Sequence, residues 1–140
     1  MYKDCVENKF GDNMKKFILF LCILVLLNAC VTLRTSEKYE YRELKPRLME
    51  AGLQEKTIKN ATLAALLNIL PGVGNYYLGQ YLNGITNTIF WPTSILWGIP
   101  EAAISANTIN VQATLNYYKY GGGKYKLAEF EARKMQKEQK

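Results

Sequence analysis

One stretch of the chain, from Ala61 to Ile99, contains no Asp, Glu, Lys or Arg, and it constrains the fold more strongly than any other feature. The segments on both sides of it are dense in Lys and Glu. Long uncharged stretches are typical of protein that contacts a membrane, because a charge in the hydrocarbon is costly. The pattern therefore favours a membrane-associated chain over a globule.

A second apolar run lies near the amino terminus and has the features of a cleaved signal peptide. The cationic segment 14–16 precedes the run 17–27, which has the length of a signal h-region and is short for a spanning helix. The tetrapeptide Leu-Asn-Ala-Cys follows at 27–30. It resembles the lipobox of bacterial lipoproteins, in which a small residue precedes the lipidated cysteine. The alternative is an uncleaved anchor helix with an unrelated cysteine.

The lipobox resemblance implies that residues 1–29 are removed as a signal peptide and that Cys30 carries covalent diacylglycerol and fatty acid. Met14 is an alternative start, because residues 1–13 are polar and lengthen the n-region beyond what export needs. Cys5 and Cys22 would be lost with the signal peptide, so no internal disulfide is expected in the mature chain.

Residues 30–60 mix Lys, Arg and Glu and predict a lipidated polar tether with short helical stretches. Pro46 fits the first turn of a helix that ends at Ala51, and Gly52 fits its C-terminal cap. Leu44 and Leu48 are four residues apart, which predicts a small apolar edge that rests on the membrane or on the following segment.

Residues 61–106 predict a hairpin of two membrane helices. Asn60 is the expected N-cap of a first helix over 61–79, which would be roughly 28 Å long at about 1.5 Å per residue, close to the hydrocarbon thickness. After a turn at 80–84, a second helix from Ile85 to about Ala106 would return, kinked at its prolines.

The same block carries the motif Gly-Val-Gly-Asn-Tyr-Tyr-Leu-Gly-Gln at 72–80, then Gly-Ile at 84–85 and Ile-Leu-Trp-Gly-Ile-Pro-Glu at 95–101. It resembles the TM-two domain family, named for two transmembrane helices joined by a tight turn. Asn75 stands where the family usually has a basic residue, and Glu101 where it usually has Asp. The resemblance implies a membrane topology more than a biochemical task.

Four glycines, Gly72, Gly74, Gly79 and Gly84, would allow close packing of the two hairpin helices in lipid. The alternative is that these glycines form loops of a soluble helical domain, because several Asn residues make the block only moderately apolar.

The ionisable and aromatic residues of this block each have two interpretations. Glu101 either marks a helix end or is a functional polar group within the membrane. The aromatic residues form either interfacial belts or scattered core contacts; they are Tyr76, Tyr77, Tyr81, Trp91 and Trp97.

Residues 107–140 predict an amphipathic arm followed by a basic tail. Positions Ile104, Thr108, Val111, Leu115 and Tyr118 fall on one helix face. Three glycines at 121–123 would break the arm, and most of the net charge of +6 lies in residues 119–140. Anionic lipid is a better partner for this charge than nucleic acid, because no nucleic-acid-binding motif is present.

The composition gives little basis for catalysis. The chain has no His, and the mature chain would have no Asp and a single, alkylated Cys. Ser36, Ser94 and Ser105 have no visible base, so no triad, metal site or cofactor beyond the covalent lipid is expected.

The sequence thus predicts an all-α chain: signal peptide, helical tether, two-helix membrane hairpin and amphipathic to charged helical tail. The expected function is a structural or interaction role as a lipoprotein of the bacterial cell envelope, with the bilayer and envelope proteins or further copies as partners. A small oligomeric pore or transport accessory is the alternative, and an enzyme completed by a partner is a third. The sequence does not decide whether the protein is anchored to the cell membrane or to the outer membrane. The basic tail favours the cytoplasmic side, but the lipobox predicts that most of the chain lies outside the cytoplasm. We expect the lipobox to decide, because export of the segment after a cleaved signal peptide comes first.

Overall fold

The computed structural model describes residues 32–139 together with Lys15 and Lys16. The chain divides into two compact units, Met1–Cys30 and Val31–Lys140. Within the first unit the two described lysines have helical conformation. The predictions of a signal peptide and of lipidation at Cys30 therefore lie outside the described residues.

Residues 32–139 form six helices and no strand, which confirms the all-α prediction for this part of the chain. The helices are α1 (Thr35–Glu50), α2 (Ala61–Leu67), α3 (Val73–Leu78), α4 (Tyr81–Ile89), α5 (Ile95–Lys119) and α6 (Gly123–Glu138).

Helix α1 is longer than the sequence predicts. The backbone N–H of Arg34 donates to Glu37 Oε2 at 2.7 Å at its start, and Pro46 lies in its interior, not in a first turn. At its end Gly52 has a φ of 64°, and the Leu53 N–H donates to the Leu48 carbonyl at 2.8 Å. The prediction that Gly52 caps this helix is confirmed, because only a left-handed residue closes such a turn without strain.

The predicted tether is in fact part of a packed core. Leu44 and Leu48 of α1 are buried against Leu115 and Tyr118 of α5 and Leu127 of α6. Burial of these leucines offsets the backbone hydrogen bond that Pro46 removes from the middle of α1. The face predicted for the arm is largely correct, although Ile104 at its start is 61% exposed.

Ion pairs join the same three helices at the surface. Glu40 of α1 pairs with Lys119 at 2.9 Å, Glu50 pairs with Lys134 at 2.6 Å, and Arg47 pairs with Glu131. Each of these side chains is close to half exposed, so each pair contributes little stability by itself. Together they keep α6 aligned with α1, and the basic tail is an ordered helix.

The predicted hairpin of two continuous helices is wrong. Residues 68–72 interrupt the expected first helix between α2 and α3, and residues 90–94 interrupt the second between α4 and α5. Pro71 lacks an N–H, and Gly72 adopts a φ of 81°, so the helix cannot continue there. Within residues 32–139 no helix combines the length and the apolar character needed to cross a bilayer.

Candidate functional site

Helix α4 has its polar side chains inside and its apolar side chains outside. Asn83 and Asn87 are only 8% and 2% exposed. On the other face Leu82, Ile85 and Ile89 are 70%, 49% and 64% exposed. A helix on the surface of a protein in water has the opposite arrangement.

The same inversion extends over residues 61–106. The buried residues of α2, α3 and α5 in this range are small or polar, apart from Leu78; they include Ala64, Gly74, Asn75, Gly98, Ala102, Ser105 and Ala106. Large aliphatic side chains lie outside, among them Leu63, Leu66, Ile69, Leu70, Leu96 and Ile104. We call these outward residues, together with those of α4, the apolar shell.

Three asparagines form the centre of this segment. Asn75 Oδ1 accepts one hydrogen bond from Asn68 Nδ2 and one from Asn87 Nδ2, both at 2.9 Å. Asn68 also donates to the carbonyl of Gly98 at 2.5 Å, and its Oδ1 accepts from the N–H of Gly74 at 3.1 Å. We call Asn68, Asn75 and Asn87 the asparagine cluster. Because its amides pair with one another, their burial does not leave these donors unsatisfied.

The cluster also connects α4 to α5 across the break at 90–94. The Trp97 indole Nε1 donates to Asn87 Oδ1 at 2.9 Å, and the Ser94 hydroxyl donates to the Asn87 carbonyl at 2.6 Å. Asn87 therefore fixes the chain on both sides of the break.

Glu101 lies in the interior of α5, so its interpretation as a helix end is wrong. Its Oε1 accepts from Asn83 Nδ2 at 2.7 Å. Asn75 Nδ2 donates to Gln80 Oε1 at 3.3 Å. Among the described residues, Gln80 Nε2 is a buried donor that has no hydrogen-bond partner.

Three of the four predicted packing glycines make close contacts. A side-chain carbon at Gly72 would collide with the Gly84 carbonyl oxygen, and one at Gly74 with the carbonyl oxygen of Ala64. One at Gly84 would lie 2.6 Å from the Tyr76 ring. The glycines thus permit close packing, although between short helices and turns and not along a two-helix hairpin.

The prediction for Gly79 is wrong, and one packing glycine was missed. Gly79 has open space around it and a φ of 82°, so it ends α3 without packing against a helix. Gly98 was not predicted, yet a side-chain carbon there would lie 2.8 Å from Asn68 Nδ2.

Most of the predicted aromatic residues lie at the surface. Tyr76, Tyr81, Trp91 and Trp97 are exposed, so the core interpretation is wrong for them. Tyr77 is half-buried, and its ring lies 4.6 Å from Lys59 Nζ.

A second cluster of polar side chains joins α1 to the loop that follows it. Its residues precede the asparagine cluster in the sequence. Tyr41 Oη donates to Glu55 Oε2 at 2.7 Å, and Lys45 Nζ lies 3.2 Å from Glu55 Oε1. The hydrogen bond from Tyr41 is the main cause that lowers the pKa of Glu55, and the bond to Glu55 raises the pKa of Lys45. Glu55 is therefore ionised at neutral pH.

In the sequence the asparagines appear as a reduction in apolar character of the block, and no pattern shows that Asn68, Asn75 and Asn87 meet. A signal was present, because Asn83 and Asn87 are four residues apart and share the face of α4 opposite Leu82, Ile85 and Ile89. In residues 32–139, no group of three or more His, Cys, Asp or Glu side chains is arranged to hold a metal ion.

No family model, no curated protein and no solved structure matches this chain. The lipobox and TM-two resemblances therefore stay predictions from the sequence.

Proposed function

We propose that this chain is a membrane-anchored lipoprotein with a structural or interaction role in the bacterial cell envelope, and that the apolar shell of residues 61–106 lies in lipid. The observation that carries the proposal is the inverted face of α4. In water, exposure of Leu82, Ile85 and Ile89 would cost about 1.5–3 kcal/mol per side chain relative to burial. In hydrocarbon the cost disappears, and polar groups must satisfy one another inside the protein, as the asparagine cluster does.

The dimensions of α5 suggest how deeply this segment inserts. Its first part, from Ile95 to Ala106, has Glu101 as its one ionisable residue and is about 18 Å long at about 1.5 Å per residue. Half of a hydrocarbon core is about 15 Å thick. We infer that 61–106 occupies one leaflet and that α1, α6 and the second half of α5 remain in the aqueous phase.

A covalent lipid on Cys30 complements this insertion. The expected diacylglycerol and fatty acid on Cys30 carry more than one acyl chain, and they would therefore give stable attachment by themselves. The apolar shell would then determine how residues 61–106 contact the lipid, not whether the protein is attached.

The alternative of a small oligomeric pore requires the asparagines and Glu101 to face an axis shared between copies. Asn68, Asn75 and Asn87 instead face the interior of one chain and bond to one another. Glu101 bonds to Asn83 of the same chain. These contacts support the lipid-contacting role over the pore.

The two tryptophans of the chain, Trp91 and Trp97, are exposed at the surface of residues 61–106 and provide a direct test. The full-length protein in vesicles that contain dibrominated lipid should lose most of its tryptophan fluorescence, while aqueous iodide should have little effect. Trp91→Phe and Trp97→Phe variants assign the quenching to each position. Efficient iodide quenching together with no effect of brominated lipid would refute insertion of this segment.

A further inference from the structure

A cavity of about 500 Å³ lies where the uncharged block begins. Asn60 and Ala61 line it at the start of the block, and Asn107 and Asn110 line it where α5 becomes polar. Three lysines, Lys45, Lys56 and Lys59, line the same cavity.

The loop that carries two of these lysines is fixed to α5. Asn110 Oδ1 accepts from the N–H groups of Ile58 and Lys59 at 2.9 and 2.8 Å, and its Nδ2 donates to the Lys59 carbonyl at 2.7 Å. The N–H of Lys56 donates to Thr114 Oγ1 at 2.9 Å. The backbone positions of both lysines are thus set before any ligand arrives, which reduces the entropy lost on binding.

Aromatic rings hold the two ammonium groups. Lys56 Nζ lies 4.7 Å from the centre of the Tyr117 ring, and Lys59 Nζ lies 4.6 Å from that of Tyr77 and donates to the Tyr77 carbonyl at 2.6 Å. An ammonium has three N–H donors, and a ring face attracts the cation through its quadrupole. Donors therefore remain for an oxygen ligand.

The charges that line the cavity favour an anion. Glu55 is the one carboxylate among its described lining residues, and Tyr41 and Lys45 already contact it. Three lysines against one glutamate leave an excess of positive charge.

We propose that this cavity binds the phosphate of an anionic phospholipid headgroup. The inference rests on the proposed function, because insertion of 61–106 to the depth of one leaflet would bring Asn60 and Asn107 to the level of the lipid phosphates. Lysines at that level attract anionic lipid electrostatically. Binding here would set how far the apolar shell enters the leaflet.

Vesicle flotation of the full-length protein tests the proposal. Vesicles of phosphatidylcholine with and without phosphatidylglycerol are compared at constant ionic strength. We expect severalfold tighter binding to the anionic vesicles, and we expect the double variant Lys56→Gln/Lys59→Gln to lose most of that preference while it still binds phosphatidylcholine. The single variant Lys56→Gln changes an exposed residue and should fold normally. It should lose about half of the preference for anionic vesicles, which keeps the test valid if the double variant misfolds.

The matched control is Lys124→Gln/Lys126→Gln in α6, which removes the same charge elsewhere and should keep the preference. If both double variants lose the preference for anionic vesicles equally, net charge alone explains the preference. That result would overturn the proposed site. Inorganic phosphate is a second source of the same ligand. A response of the Lys59 side-chain resonance to phosphate alone, with no preference for anionic vesicles, would overturn the lipid assignment. Failure of the parent protein to bind phosphatidylcholine would instead count against the proposed function.

Discussion

Asn87 Nδ2 donates a 2.9 Å hydrogen bond to Asn75 Oδ1, at the centre of a segment in which large apolar side chains face outward. The bond joins α4 to α3, and the same oxygen accepts from Asn68 Nδ2. One side-chain carbonyl therefore holds three parts of the segment together. Since aliphatic packing is scarce inside 61–106, polar bonds take its place there.

Replacement of Asn75 by Leu should strongly destabilise this segment. Asn75 is fully buried, and the change removes the acceptor of both Asn68 and Asn87. Each unsatisfied buried donor costs about 1–3 kcal/mol, so the two donors together predict a loss of about 2–6 kcal/mol. Denaturant unfolding in mild detergent measures it. The control is Asn116→Leu at an exposed position of α5, which should change the free energy of unfolding by less than about 0.5 kcal/mol. Equal effects of the two variants would refute the role given to the cluster.

Two glycines with the same backbone conformation allow the energetic cost of backbone strain to be distinguished from the cost of lost close packing. Gly72 and Gly79 have φ values of 81° and 82°, but only Gly72 lies against another backbone, at the carbonyl of Gly84. Gly79→Ala should cost about 1–2 kcal/mol from left-handed strain alone. Gly72→Ala should cost about 1–3 kcal/mol more, because the neighbouring backbone must move. Thermal unfolding of both variants gives the comparison, and equal losses would show that the close approach is unimportant.

The hydrogen bond from Tyr41 predicts a pH dependence of stability. The pKa of Glu55 is lowered in the folded chain. Its stabilising effect is therefore present above its unfolded pKa, near 4.5, and is lost as the pH falls through the lower folded value. Tyr41→Phe should raise the folded pKa toward 4.5 and reduce that loss. NMR titration of the Glu55 carboxyl carbon measures the shift. Tyr39→Phe, on the exposed side of α1, is the control, and an unchanged Glu55 pKa in Tyr41→Phe would contradict the assignment.

Lipidation at Cys30 remains a prediction from the lipobox resemblance. Cells fed with a fatty-acid analogue should label the parent protein, and a shorter, processed form should accumulate. Cys30→Ser should abolish both. Cys22→Ser lies within the predicted signal peptide and serves as the control, which should leave labelling and processing intact. Label retained by Cys30→Ser would show that the attachment site is elsewhere.

Local features of the fold could be predicted from the sequence. Asn60 is the N-cap of α2, since its side chain accepts from the N–H of Leu63 at 2.9 Å, and Gly52 ends α1. Each of these depends on residues within a few positions along the chain.

Features that depend on distant residues could not be predicted in the same way. The break after Asn68 is held by bonds to Asn75 and Gly98, and burial of Leu48 depends on Leu115 and Leu127. A helical pattern does not show such partners, so the sequence predicts hairpin helices that are too long and a tether that has no core.

Helix α5 is continuous from Ile95 to Lys119, and under the proposed arrangement its two halves lie in different solvents. Its length is about 37 Å at about 1.5 Å per residue, so a small change in its tilt displaces its far end by several ångströms. A change of about 10° in its tilt would move the far end sideways by about 6 Å. A change in tilt would thereby move the ion-paired surface of α1 and α6 relative to the surface of the bilayer.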